Sequence, residues 1–172
     1  MKKKLFITMV CLLMAFTMAT SVFAAPSLYR SEWVYFHVTK KDGADPDGLK
    51  SQRTRAIQTI LRYCTSSSVH QNIAIDGSFG DNTHDAVRRF QNQIMGITYS
   101  QTDGSVGPAT WPELYDELGV MTHTGGYYYF ESDFPEINPS NVNIIRRGDT
   151  SGTWQVRKYN NGTITWHTFE YA

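Results

Sequence analysis

The sequence predicts an α+β chain: a three-helix bundle followed by a small antiparallel β-rich segment. Three observations predict it. Apolar residues follow a helical period between Leu49 and Gly119, an Asp-Gly-Ser turn occurs twice within that stretch, and β-branched and aromatic residues replace the helical period from Val120 onward. The 172 residues are 41% apolar and 13% aromatic, a composition that excludes a disordered chain, a collagen-like repeat and a polytopic membrane protein. With 16 basic and 16 acidic side chains there is no cationic excess for a phosphate backbone, so nucleic acid is not expected as a partner.

The first element is a leader. Lys2-Lys3-Lys4 precedes a mostly apolar run from Leu5 to Phe16, and Val22-Phe23-Ala24 ends in the small residue that a signal peptidase requires. Residues 1–24 therefore read as a secretory signal peptide, with cleavage before Ala25 and no membrane attachment afterwards. The apolar run is short for a membrane span. Cleavage removes three lysines and no acids, leaving 13 basic and 16 acidic groups on 148 residues. Cys11 leaves with the leader, so the remaining Cys64 has no partner for an intramolecular disulfide. Cys64 falls on the apolar face of the first helix with Ile60 and Leu61, where a buried thiol is expected.

Residues 25–48 form an N-terminal extension in which Trp33 to Val38 reads as a strand. The bundle occupies residues 49–119. Ala56, Ile57, Ile60, Leu61 and Cys64 define its first helix, and Ala86, Val87, Phe90 and Ile94 the second. Trp111, Leu114, Tyr115 and Leu118 define the third, with Pro108 and Pro112 around its start and Gly119 beyond its end. The connections repeat: Asp76-Gly77-Ser78-Phe79-Gly80 with Thr83 recurs 27 residues later as Asp103-Gly104-Ser105-Val106-Gly107 with Thr110. Asp-Gly makes a tight turn with positive φ at the glycine, the next apolar residue plugs the core, and the second glycine leads into a helix. Asp81, Asn82 and Thr83 are expected to cap the first of those helices, and Pro108 and Thr110 to serve the second.

These motifs resemble the peptidoglycan-binding-like domain family, a three-helix module of bacterial cell-wall hydrolases and exported proteins. The resemblance rests on Ala56-Ile57-Gln58-Thr59-Ile60-Leu61, on Ile75 to Thr83, on Ala86-Val87-Arg88-Arg89-Phe90-Gln91, and on Asp103 to Gly107 followed by Thr110-Trp111. The loops Thr65–Ala74 and Gly96–Thr102 are longer than the family's compact pattern. The resemblance implies a non-catalytic anchor that holds its chain on the glycan strand or stem peptide of peptidoglycan. Such binding needs an aromatic face and a few convergent polar groups. Candidates for ligand contact are Phe79, Asp81, Thr83, Tyr99, Asp103 and Trp111, in or beside the repeated turns. For Phe79 and Trp111 the competing expectation is core packing beneath the turns. For Asp76 and Asp103 it is turn capping, and Tyr99, in a polar loop, is the candidate expected to be exposed.

A catalytic constellation is not legible. The sequence lacks His-Glu-x-x-His, and His37, His70, His84, His123 and His167 are scattered without metal-ligand spacing, so neither metal nor cofactor is expected. Cys64 lacks the flanking context of a transpeptidase or papain-like nucleophile. Glu131-Ser132 matches the acid-serine pair of lytic transglycosylases in a strand-like setting that has nothing else of that motif.

In residues 120–172, Tyr127–Phe130, Val142–Ile145, Thr153–Tyr159 and Thr163–Phe169 read as strands, and Asn160-Asn161-Gly162 as a hairpin turn. Tyr127, Tyr128, Tyr129, Trp154, Tyr159, Trp166 and Tyr171 either fill the core of this small sheet or form a stacking platform for sugars, core filling being the stronger expectation. Arg147-Gly148-Asp149 reads as a turn. The expected function is an exported, cell-wall-associated, non-enzymatic peptidoglycan-binding protein. The alternatives are a secreted module that binds a protein partner, and a small wall hydrolase with its active site in the C-terminal segment.

Overall fold

The computed structural model describes residues 30–35, 49–70, 73–119, 121–130, 144–160 and 163–170. Residues 1–24, expected to be a signal peptide, most of the N-terminal extension, Glu131-Ser132, Tyr171 and the Tyr159 side chain lie outside the described residues. Residues 30–35 form a 3-10 helix, followed by α1 (Leu49–Tyr63), the single-turn α2 (Ser67–His70), α3 (Asp81–Gln93), a 3-10 turn at Tyr99–Gln101 and α4 (Thr110–Asp116). Five strands follow: β1 (Met121–Thr124), β2 (Tyr127–Phe130), β3 (Ile145–Gly148), β4 (Trp154–Asn160) and β5 (Thr163–Glu170). They pair in sequence order as an antiparallel meander.

The fold class is as the sequence implies, an α+β chain with three principal helices and an antiparallel sheet. Asn160 pairs with Thr163, which places a two-residue connection at the expected hairpin. Three local expectations are corrected. Trp33 lies on a 3-10 helix rather than a strand. Of the strand expected at Val142–Ile145, residues 142 and 143 lie outside the described residues, and β3 runs from Ile145 to Gly148, so Arg147 and Gly148 of the expected turn belong to it. Met121–Thr124 adds a strand that its polar composition, Met-Thr-His-Thr, had concealed.

The helix α1 explains how the two halves join. From Ser51 to Leu61 every residue except Arg53 is buried, including Gln52, Thr54, Arg55, Gln58 and Thr59. A surface helix buries one stripe, whereas a helix covered on two sides buries most of its circumference. The bundle covers one side of α1, and β4 and β5 cover another. Arg53 fixes the second contact, since its Nε donates to the Phe169 carbonyl at 3.2 Å and its guanidinium pairs with Glu170.

Trp33 closes the core. Its fully buried ring meets Trp111 at 5.3 Å, Tyr115 at 5.2 Å, Trp154 at 5.1 Å and Phe169 at 6.0 Å, all edge to face. Two of those rings belong to α4 and two to the sheet, so one indole bridges both. Edge-to-face pairs add roughly 0.5–1.5 kcal/mol each beyond area burial. The neighbouring Glu32 accepts from Arg147 at 2.9 and 2.7 Å and from the Trp154 indole N–H at 2.7 Å. On the outer side of the segment Arg30 pairs with Glu113 at 2.6 Å and Asp116 at 2.7 Å, in a more exposed setting that adds little.

Two substitutions test this junction. Trp33→Ala removes the shared ring and is expected to cost about 3–5 kcal/mol. Glu32→Ala leaves the mostly buried Arg147 and the Trp154 indole without their acceptor, at about 2 kcal/mol. Urea unfolding followed separately by helical circular dichroism and tryptophan fluorescence measures both. The probes are expected to move together, because bundle and sheet share one core.

Candidate functional site

The repeated turns are built by one hydrogen-bonding device used twice. In the first, Gln58 of α1 donates through Nε2 to Asp76 Oδ1 at 2.8 Å, the Ser78 carbonyl at 3.0 Å and Thr83 Oγ1 at 3.1 Å. Its Oε1 accepts from the Gly77 N–H at 2.8 Å, and Asp76 Oδ1 also accepts from the Ser78 N–H at 2.8 Å. In the second, Gln91 of α3 reaches Asp103 Oδ1 at 2.8 Å, the Ser105 carbonyl at 3.0 Å and Thr110 Oγ1 at 3.4 Å, while the Gly104 N–H donates to Gln91 Oε1 at 3.0 Å. Ser105 N–H completes it by donating to Asp103 Oδ1 at 2.8 Å. Each glutamine thus clasps the turn that precedes the following helix.

The glycines at the two turn centres have φ +79° and +65°, as the Asp-Gly pairs require. A Cβ on Gly77 would lie 3.0 Å from the Ser51 carbonyl oxygen, and one on Gly104 would lie 2.3 Å from the His84 ring. Thr83 and Thr110 do not cap their helices: each hydroxyl joins the clasp, within hydrogen-bonding distance of the Ser78 or Ser105 carbonyl. The N-cap residues Gly80 and Ala109 make no side-chain cap bond, and the clasps correct the capping roles expected of Thr83 and Thr110. Pro108 precedes α4.

Beside the first turn is a groove of about 320 Å³ lined by Gln58, Ala74, Asp76, Ser78, Gly80, Asp81, Asn82 and Thr83. Asp76, Ser78, Asp81 and Asn82 are exposed and present two carboxylates, a hydroxyl and an amide to it. Among the candidates, the groove gathers Asp81 and Thr83. Asp81 is open to solvent, whereas Thr83 is buried with its hydroxyl already engaged. Phe79 is half-buried and packs on the core, away from the groove lining. Asp103 is exposed, but its Oδ1 is occupied by the second clasp. Tyr99 is 46% exposed and carries Arg88 over its ring at 4.2 Å, on the α3–Thr102 side of the bundle. Trp111 corrects its expectation as a ligand contact: it is fully buried against Trp33 and Phe169, because α4 must close the core from that side.

Cys64 is buried, with the apolar residues around it. The C-terminal aromatics divide between the two expectations. Trp154 and the half-buried Tyr128 face the core, while Tyr127, Tyr129 and Trp166 surround Arg146 at 4.1, 6.0 and 4.4 Å from their ring centres. Among the described residues no group of three His, Cys, Asp or Glu side chains could hold a metal ion, and no helix is long and apolar enough to cross a membrane.

The glutamines are the residues whose role the sequence did not reveal. A signal existed: Gln58 and Gln91 are 33 residues apart while their turns are 27 apart, so the first loop is six residues longer. That extra length accommodates α2, Ser67–His70. Replacing Gln58 or Gln91 with Leu is expected to cost about 2 kcal/mol each, since a buried glycine N–H loses its acceptor. Gly104→Ala is expected to cost a similar amount, about 1–2 kcal/mol of it from the left-handed backbone. Thermal unfolding of the three variants measures these losses.

No curated protein and no solved structure matches the chain. Residues 50–114 match a family model described as "Putative peptidoglycan binding domain", a span that begins in α1, contains both clasps and the groove, and ends within α4. The sheet from Met121 onward lies outside the match. Residues 50–114, less than half of the chain, are therefore similar to the peptidoglycan binding domain family.

Proposed function

We propose that the protein is an exported, non-catalytic binder of cell-wall peptidoglycan, and that the groove beside the first clasp makes the contact. The observation that carries this reading is the coincidence of the family match with a polar groove whose floor is built by the family's own turn motif. Binding here needs no activated group. Asp81 offers a carboxylate acceptor, Asp76 a carboxylate whose Oδ1 the clasp already holds, and Ser78 and Asn82 groups that both donate and accept, a set suited to sugar hydroxyls and peptide amides. The clasp holds the loop between α1 and α3 by bonds to Gln58, so these groups are pre-positioned and little ordering entropy opposes binding. Tyr99 offers an exposed aromatic edge elsewhere on the bundle, and its contribution is separable from that of the groove.

The test is co-sedimentation of the chain from Ala25 to Ala172 with insoluble peptidoglycan, with turbidity recorded in the same sample. Sedimentation without a fall in turbidity is expected. Asp81→Ala combined with Asn82→Ala is expected to weaken retention about tenfold, the effect of losing one or two hydrogen bonds. Tyr99→Ala reports separately on the second surface. Clearing of the suspension would reveal a hydrolase, and a folded protein that stays in the supernatant would contradict wall binding.

A further inference from the structure

A second cavity lies on the other side of the same extended segment. Ala74 and Asp76 line the groove, whereas Ile75, between them, lines a cavity of about 400 Å³ with Arg55, Thr59, Arg62 and Tyr63 of α1, Ile144, and Arg157 and Lys158 of β4. The two sites have opposite character. The groove has two carboxylates and no cation, and this cavity has four cations and no carboxylate among its described lining residues.

Four cations and no carboxylate among the described lining residues is an arrangement that folding alone does not favour. Arg55 and Arg62 have structural duties, since they donate to the Ile75 carbonyl at 2.7 Å, the Asp76 carbonyl at 3.1 Å and the Ile73 carbonyl at 3.0 Å. Arg157 has none of these. It is half-buried, and its guanidinium makes no hydrogen bond or ion pair among the described residues. Burial pushes its pKa below the ordinary arginine value, opposed by the nearby Tyr63 phenol. The backbone around it is firmly held: the Arg157 N–H donates to the Ile144 carbonyl at 3.0 Å, and the residue sits mid-strand opposite Trp166.

We propose that this cavity is an oxyanion-binding site that receives the terminal carboxylate or phosphate of a small ligand or chain end. Arg157 is the principal ligand group, through its planar fork of N–H donors. Lys158, Arg55 and Arg62 supply the surrounding positive potential, and Ile75, Ile144 and the Tyr63 ring form the apolar wall beside the anion. The volume suits a group of one or two amino-acid units, so it favours a chain end over a continuous polymer. The site is composite. Ile144, Arg157 and Lys158 lie outside the matched residues 50–114, so the β-rich segment completes a site that the bundle alone lacks. It stands independently of the proposed wall-binding groove.

The test uses the chain from Ala25 onward, which contains every described residue, followed by nitrogen-15 correlation spectra of backbone and arginine side-chain N–H groups. Inorganic phosphate, N-acetylalanine and neutral N-acetylalaninamide are titrated at constant ionic strength against a chloride control. Saturable shifts are expected at the Arg157 side chain and at Ile75 and Ile144 with phosphate, N-acetylalanine or both. The anion that saturates identifies the source, and the amide is expected to produce no such response. Arg157→Gln is expected to weaken binding, read at Ile75 and Ile144, at least tenfold, and Lys158→Gln several-fold. Because the Arg157 guanidinium makes no hydrogen bond or ion pair among the described residues, Arg157→Gln is also expected to keep or raise the melting temperature without ligand. Shifts no different from those of chloride, or an Arg157→Gln variant that binds as the parent does, would overturn the proposal.

Discussion

The structure depends on the burial of one indole. Neither half of the described chain closes its own core: α4 presents Trp111 and Tyr115, the sheet presents Trp154 and Phe169, and Trp33 packs against all four. The segment that delivers Trp33 is six residues long and is held by Glu32 against Arg147 and Trp154 of the sheet, with the more exposed Arg30 pairing to Glu113 and Asp116 of α4 on its other side. A small bundle and a small sheet each bury a modest fraction of their surface, and a shared aromatic centre compensates for that shortage. Joining them also sandwiches α1, so the helix that holds the first clasp cannot shift relative to the sheet. Both cavities inherit their rigidity from this arrangement.

The clasps are the second organising device. A glutamine side chain supplies a donor and an acceptor in one plane, which suits a turn that offers a glycine N–H beside a carbonyl and an aspartate oxygen. Burying that amide costs free energy unless each group is paired, and here Oε1 and Nε2 of both glutamines are. The same chemistry engages Asp76 in one copy and Asp103 in the other, and the first copy sets Asp81 and Asn82 beside a groove. The duplicated motif therefore does not make two equivalent sites. Beside the first turn there is an open groove, and beside the second His84 sits against Gly104, with its ring nitrogen 3.1 Å from the Asp103 carbonyl oxygen.

Much of this was legible from residues alone. The apolar periods of α1, α3 and α4, the positive φ at Gly77 and Gly104, the buried Cys64 and the β4–β5 hairpin follow from local rules that tertiary context did not override. What was not legible depended on long-range packing. Trp33 sits in an aromatic, β-branched run that favours a strand, yet the need to insert its ring into a preformed gap selects a 3-10 turn. Gln58 is a polar residue buried on a helix covered on two sides, and its type alone does not say that it clasps a turn 18 residues further on. Trp111 was placed correctly beneath its turn by one reading and wrongly at the ligand by the other; only the position of the sheet decides between them. Arg157 alternates within a plain strand pattern, and nothing in the sequence says that its partners across the cavity are Arg55 and Arg62.

The two proposed recognition surfaces, of opposite charge on either side of residues 74–76, would give the chain a physical rationale for its C-terminal sheet. The described lining of the groove lies within the bundle, whereas that of the composite cavity draws on both halves, joined by Trp33 and Arg53. The central claim is that wall recognition resides at the first clasp, in the groove from Ala74 to Thr83. Chemical-shift mapping with soluble peptidoglycan fragments tests it most directly. The account predicts concentration-dependent shifts centred on Asp76, Ser78, Asp81 and Asn82. Shifts confined to the outer face of the sheet around Arg146 and Trp166, or none in the folded protein, would contradict it.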